Sequence, residues 1–194
     1  MRLGRQLPAY SPLSGAAVRR AALSGFAPGR DGQSALRAAL QREYAADEVR
    51  LFGSGTQALQ VALELAIRQS GDAQVALPAF TCFAVAAAAV GARARIHCYD
   101  LDPNTLGPDF ASLRRVLDRG VRVAVFTPLY GYPIDWDGVT QLLAGYGAVA
   151  IEDAAQGDHA GWRGRPLGSL GPISVLSFGR GKGWTGGGGG ALLV

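Results

Sequence analysis

Lysine is almost missing from this chain. Of its 19 basic residues, 18 are arginine and one is lysine, Lys182. Histidine and cysteine each occur twice and methionine once in 194 residues. Two widely separated histidines make no metal cluster, and Cys82 and Cys98 have neither zinc-ligand nor disulfide-framework spacing. No metal site is therefore expected, and a reducing, cytoplasmic setting is. Long apolar runs are also lacking: the Ala-rich run from Phe83 to Val90 falls well short of the roughly 18 residues that cross a bilayer. Acids are missing from the first 30 residues, which carry Arg2, Arg5, Arg19, Arg20 and Arg30. That composition superficially resembles a transit peptide, but Pro8, Pro12 and Gly15 interrupt the long amphipathic helix one would need. The net charge is only +4 and the arginines are scattered, with no basic stripe. Neither a nucleic acid nor a membrane is an expected partner.

What is present is a globular composition, 48% hydrophobic and 18% charged, in a chain long enough for a substantial core. Leu36, Ala39, Leu40 and Tyr44 recur at helical spacing from Ser34 onward. Strands are expected at 48–52, 73–78, 93–100, 121–126, 147–153 and 173–178. Helices are expected at 56–69, stopped by Gly71, and at 81–90, 109–118 and 136–144. Alternation with short connections predicts an α/β fold: a three-layer α/β/α arrangement with a mainly parallel sheet. Ligands in such sheets sit beyond the carboxyl ends of the strands, which singles out the residues after "RLF", "IED" and "VLSF".

Two glycine patterns bear on nucleotide or phosphate binding. "GSGTQA" (53–58) fits G-x-G-x-x-A between a strand and a helix, with Asp72 about 20 residues later. Its backbone N–H groups at a helix start, with the Thr56 hydroxyl, suit an anion. It also fits an ordinary helix N-cap without a ligand, and a dinucleotide reading built on it leaves Lys182, Asp153 and Ser177 unexplained. "GKGWTG" (181–186) is followed by more glycines instead of a helix. A Walker loop fails because Leu176 stands where its first glycine is required, and Gly183 where Ser or Thr is.

Arginine serves a solvated surface as well as lysine does, yet only lysine can lose its proton and attack a carbonyl. One lysine retained at the end of a buried strand, among glycines that permit close approach, points to a required amine. Chance retention in an arginine-biased chain is the alternative. Asp153 ends the strand expected beside the lysine strand, where a carboxylate can pair with a protonated pyridine nitrogen. Ser177 can offer its hydroxyl to the same phosphate as Gly55 and Thr56. Phosphate cradle, pyridinium partner and Schiff-base lysine are together the parts of a pyridoxal 5′-phosphate site.

With these parts in place, the chain resembles the DegT/DnrJ/StrS family of pyridoxal-phosphate-dependent sugar aminotransferases, of the aspartate-aminotransferase fold type I. The resemblance lies in "GSGTQALQVAL", "VALPAFTCFAVAAAAVGARARIHCYDLDPNTL", "LYGYPIDWDGV", "AVAIEDAAQGDHAGWRGRPLGSLG" and "SFGRGKGWTGGGGGALL", which follow the family order. It implies that Lys182 carries the cofactor and shuttles a proton, and that Asp153 pairs with the pyridine nitrogen. It further implies that Gln156 lies near the phenolic oxygen and that Gly55, Thr56 and Ser177 hold the phosphate. Cys82, with Phe83 beside it, occupies the position where the family stacks an aromatic residue on the ring. Gly188 stands where the family often has glutamate. The implied reaction moves an amino group from glutamate to a nucleotide-linked keto sugar, in a homodimer with sites at the subunit interface.

The implied organisation is a lead segment over residues 1–33 and a partial cofactor-binding large domain over 34–194. The family's small C-terminal domain is expected to be absent, because the chain stops 12 residues after Lys182 and "GGALLV" reads as the start of a strand. The alternative is a truncated or degenerate relative that binds the cofactor weakly or acts only as partner of a complete subunit.

Overall fold

The computed structural model describes residues 14–24, 32–157, 160–183 and 185–194. Helices α1 (Gly15–Ser24) and α2 (Gly32–Tyr44) precede β1 (Val49–Phe52) and α3 (Gly55–Ser70). There follow β2 (Gln74–Pro78), α4 (Phe83–Gly91), β3 (Arg95–Tyr99), α5 (Phe110–Leu117) and β4 (Val123–Phe126). After a 3-10 turn at Leu129–Gly131 come α6 (Trp136–Tyr146), β5 (Val149–Asp153), β6 (Gly161–Trp162), β7 (Arg165–Pro166), β8 (Ile173–Ser177) and β9 (Gly190–Leu193).

Seven strands form one sheet in the order β1-β9-β8-β5-β4-β2-β3. Neighbours from β8 through β5, β4 and β2 to β3 are parallel, whereas β9 runs antiparallel to both β8 and β1. The expected mainly parallel α/β sandwich is therefore the fold. Its layers follow from alternation along the strands. On β4, Val123 and Val125 face α3 and α4 with Leu59, Leu63 and Val85. Ala124 and Phe126 face the opposite layer, where Leu113, Trp136, Val139 and Leu143 of α5 and α6 complete the core. A third cluster seats Leu40 and Tyr44 of α2 against Leu176, Ala191 and Leu193.

Helix α3 shows how local chemistry sets an element. Ser54 is its N-cap and accepts from the Gln57 N–H; Gly71, at φ 73°, ends it in the left-handed region. Ala58, Leu59, Ala62, Leu63 and Ala66 make one wholly buried face. Other boundaries moved. Helix α4 starts at Phe83 instead of Thr81, because Cys82 keeps an extended backbone (ψ 138°). Gly91 lies inside that helix, whose C-cap is Ala92. Gly15, expected to interrupt helix, is the first residue of α1, a short helix exposed from Gly15 to Leu23. Pro8 and Pro12 lie outside the described residues. The β6–β7 hairpin was not expected; its two-residue turn puts Arg163 and Gly164 at positive φ (49° and 81°), the twist that tight hairpins favour. Among the described residues, no helix is long and apolar enough to cross a membrane.

Candidate active site

The parallel strands β5 and β8 end side by side, with Asp153 in register with Val175, two residues before Ser177. The start of α3 lies against the same edge of the sheet. A cavity of ≈ 220 Å³ opens there, and its lining includes Gly55, Thr56, Cys82, Asp153, Gln156, Ser177 and Lys182. All seven residues singled out from sequence thus meet in one place, although they come from four separate segments.

The Gly55–Ser177 end of the cavity is shaped by close packing. A Cβ on Gly55 would lie 2.7 Å from Ser177 Cβ and 2.9 Å from its Oγ. Only glycine lets the first turn of α3 approach Ser177 so closely, which brings the Ser177 hydroxyl beside the N–H groups that open the helix. The Gln57 N–H is taken up by Ser54 Oγ, whereas the Gly55 and Thr56 N–H groups have no carbonyl one turn back within the helix; Thr56 lines the same cavity.

At the other end, burial pushes the Asp153 carboxyl above its ordinary range; the Ala155 N–H and the Lys182 ammonium pull it down, and the neighbouring Glu152 adds a smaller upward push. Asp153 Oδ1 accepts from the Ala155 N–H at 3.1 Å. Gln156 Oε1 accepts from the Tyr130 N–H at 2.7 Å. That bond orients the amide, leaving Nε2 as the free end of the side chain and a donor. Tyr130 holds φ 57° to make it. Lys182 sits in the loop from β8 to β9; its N–H donates to Gly179 O, and the loop closes on itself through Phe178 N–H to Gly189 O at 2.9 Å.

Cys82 lines the cavity, but Phe83 does not: it is 84% exposed and points away. Sequence reasoning also missed Thr81 and Thr127, whose hydroxyls lie 3.5 Å apart at the cavity. Thr127 follows β4 directly, so the rule applied after "RLF", "IED" and "VLSF" would have found it after "VAVF". Leu59, Val85 and Leu129 form the apolar wall. Trp184, inside the lysine loop, lies outside the described residues.

The fold, a mainly parallel sheet with a single reversed strand, is that of the fold-type I aminotransferases. The solved sugar aminotransferase CalS13 from Micromonospora echinospora matches 96% of this chain and 53% of its own, with a TM-score of 0.84 and 28% identity. The sequence profile of the DegT/DnrJ/EryC1/StrS aminotransferase family matches residues 17–194, and the chain belongs to that family. L-glutamine:2-deoxy-scyllo-inosose aminotransferase of Streptoalloteichus tenebrarius is 34% identical over 141 residues, 73% of this chain and 33% of its own length. UDP-N-acetyl-3-dehydro-alpha-D-glucosamine 3-aminotransferase of Acidithiobacillus ferrooxidans is 32% identical over 141 residues, again 73% of this chain and 38% of its own. The chain spans about a third of the length of the curated relatives it matches.

Proposed function

We propose that this chain is the cofactor-binding part of a pyridoxal-5′-phosphate-dependent aminotransferase that carries an amino group from glutamate or glutamine to a nucleotide-linked keto sugar. The observation that carries the reading is the convergence of Gly55, Thr56, Cys82, Asp153, Gln156, Ser177 and Lys182 on one cavity. The names of the two curated relatives, a glutamine-dependent inosose aminotransferase and a UDP-sugar aminotransferase, support the donor and acceptor classes.

The residues present fit the cofactor. A Cβ at Gly55 would fill the phosphate cradle, the donors there are neutral N–H and O–H groups suited to an anion, and the half-buried Asp153 carboxyl lines the same cavity. In this reading Gly55, Thr56 and Ser177 hold the phosphate and Asp153 takes the pyridine nitrogen. Gln156 donates from Nε2 toward the phenolic oxygen, and Cys82 lies on the ring face. Bound there, the cofactor would supply an electron sink for a carbanion at the substrate carbon. With the cofactor bound, the Lys182 amine would hold it and its Nζ would carry the proton to and from the substrate carbon. Leu59, Val85 and Leu129 exclude water from that transfer.

The test is optical and chemical. Chain mixed with pyridoxal phosphate is expected to develop a visible absorbance band, and borohydride is expected to fix the cofactor's mass on the peptide containing Lys182. Lys182→Ala abolishes both. A wild-type chain without the band would remove the cofactor assignment. The same reading takes residues 34–194 as the cofactor-binding domain after a lead segment at 1–33, and a cytoplasmic homodimer as the working form. Light scattering of the loaded chain tests the dimer.

A further inference from the structure

Glu152 precedes Asp153 on β5, so its side chain leaves the opposite face of the strand, where it is fully buried. A buried carboxylate requires compensation, and neutral donors provide it here. The Gly168 N–H donates to Oε1 at 2.7 Å, and the Leu170 and Gly171 N–H groups donate to Oε2 at 2.9 and 3.2 Å. Ser174 Oγ donates to Oε2 at 3.0 Å. Three backbone N–H donors, which cannot accept, together with a hydroxyl free to turn its hydrogen toward Oε2 suit the ionised form.

The loop is shaped for this carboxylate. Gly168 stands at φ 103°, and a Cβ there would lie 2.9 Å from the Tyr44 ring. Ser174 is the register partner of Glu152 on β8. The "GSLG" stretch, which marked the family resemblance without a role, therefore closes around Glu152. The segment leading into it also backs the cavity. Leu167 lies against Gly157, where a Cβ would meet Leu167 Cβ at 2.7 Å. Gly157 closes the turn that carries Gln156, its N–H donating to Ala154 O at 2.9 Å.

We propose that Glu152 is a positioning residue of the cofactor site: its cradled carboxylate locks the 167–171 loop against the 154–157 turn, and so fixes Asp153 and Gln156 while adding a second negative charge behind the first. The proposal rests on the pyridoxal-phosphate reading above. Burial pushes the Glu152 carboxyl up and its four donors pull it back. The titratable groups facing the cavity itself are Asp153, Cys82 and Lys182.

Glu152→Gln keeps the volume but turns an amide N–H₂ toward converging N–H donors. In the chain loaded with pyridoxal phosphate, cofactor affinity is expected to fall about tenfold. The pH midpoint of the Lys182-dependent visible band is expected to move down, since losing a nearby negative charge disfavours the protonated form. Leu113→Ala, which destabilises the distant α5–α6 core, is expected to leave both readouts unchanged. Wild-type affinity and midpoint in a folded Glu152→Gln chain overturn the proposal, as does an equal effect from Leu113→Ala. Absence of the band in the wild type sinks the cofactor reading instead. Where Glu152→Gln does not fold, Ser174→Ala removes one donor and is expected to weaken cofactor binding about two- to threefold; unchanged affinity there overturns the proposal.

Discussion

Two consecutive carboxylates, Glu152 and Asp153, leave opposite faces of β5 into opposite environments. Glu152 meets four donors, whereas Asp153 looks into a cavity with Lys182 on its lining. Burial raises both above the ordinary carboxylate range. A carboxyl with a raised folded-state pKa holds its proton more tightly folded than unfolded, so its contribution to stability falls as pH rises from the unfolded value, about 4, through the folded one. Asp153→Asn is free of that penalty. In the chain without cofactor, thermal melts are expected to show the variant gaining on wild type as pH rises across this window and then levelling off. A gap that shrinks with rising pH would contradict the assignment. Asp153 and Lys182 were legible in the sequence because their chemistry is rare and stands at strand ends. Glu152 was not, because three of its four partners are backbone N–H groups sixteen to nineteen residues away, and backbone donors carry no letter in a sequence.

Among the elements, β9 and the start of α3 illustrate why the positions of a glycine tract are not equivalent. A Cβ on Gly190 would lie 2.6 Å from both Cα and N of Gly55, backbone atoms that cannot rotate away. A Cβ on Gly188 would meet nothing within 4 Å. Gly190→Ala is therefore expected to destabilise the fold by about 3 kcal/mol or to force α3 off the sheet. Gly188→Ala should stay within about 0.5 kcal/mol. Urea unfolding of the two variants checks the contrast; equal losses would show that the approach is not the constraint. Local sequence pattern located the helices α2 to α6 and all seven strands of the main sheet, β9 in "GGALLV" included, to within a few residues, since apolar spacing is a local property. It missed the β6–β7 hairpin, which is held by tertiary tethers. One is the Arg163–Asp137 ion pair at 2.7 Å, which ties its turn to α6.

At the scale of the whole molecule, β1 is hydrogen-bonded to the sheet, among the described residues, through β9 alone. Strand β9 is buried along its length and lies between β1 and β8. The closing bonds pair Val194 with Glu48, at 3.0 and 3.1 Å. Deleting residues 190–194 would strip β1 from the sheet and leave β8 as an unpaired apolar edge, an invitation to aggregation. Loss of the cooperative thermal transition and of soluble monodisperse protein is expected; a deletion variant that melts like wild type would show that β9 is dispensable.

The sequence by itself determined the alternating α/β layers, the strand ends at which a ligand sits, and a lone lysine, a carboxylate and a serine of matching chemistry. These follow from local periodicity and from what each side chain can do. Only the tertiary structure decided that the chain's last strand inserts between its first and the lysine strand, that Phe83 turns away from the cavity, and that Gly55 meets Ser177. Those outcomes depend on which backbones approach one another across the sheet, and that is fixed by packing between segments more than a hundred residues apart.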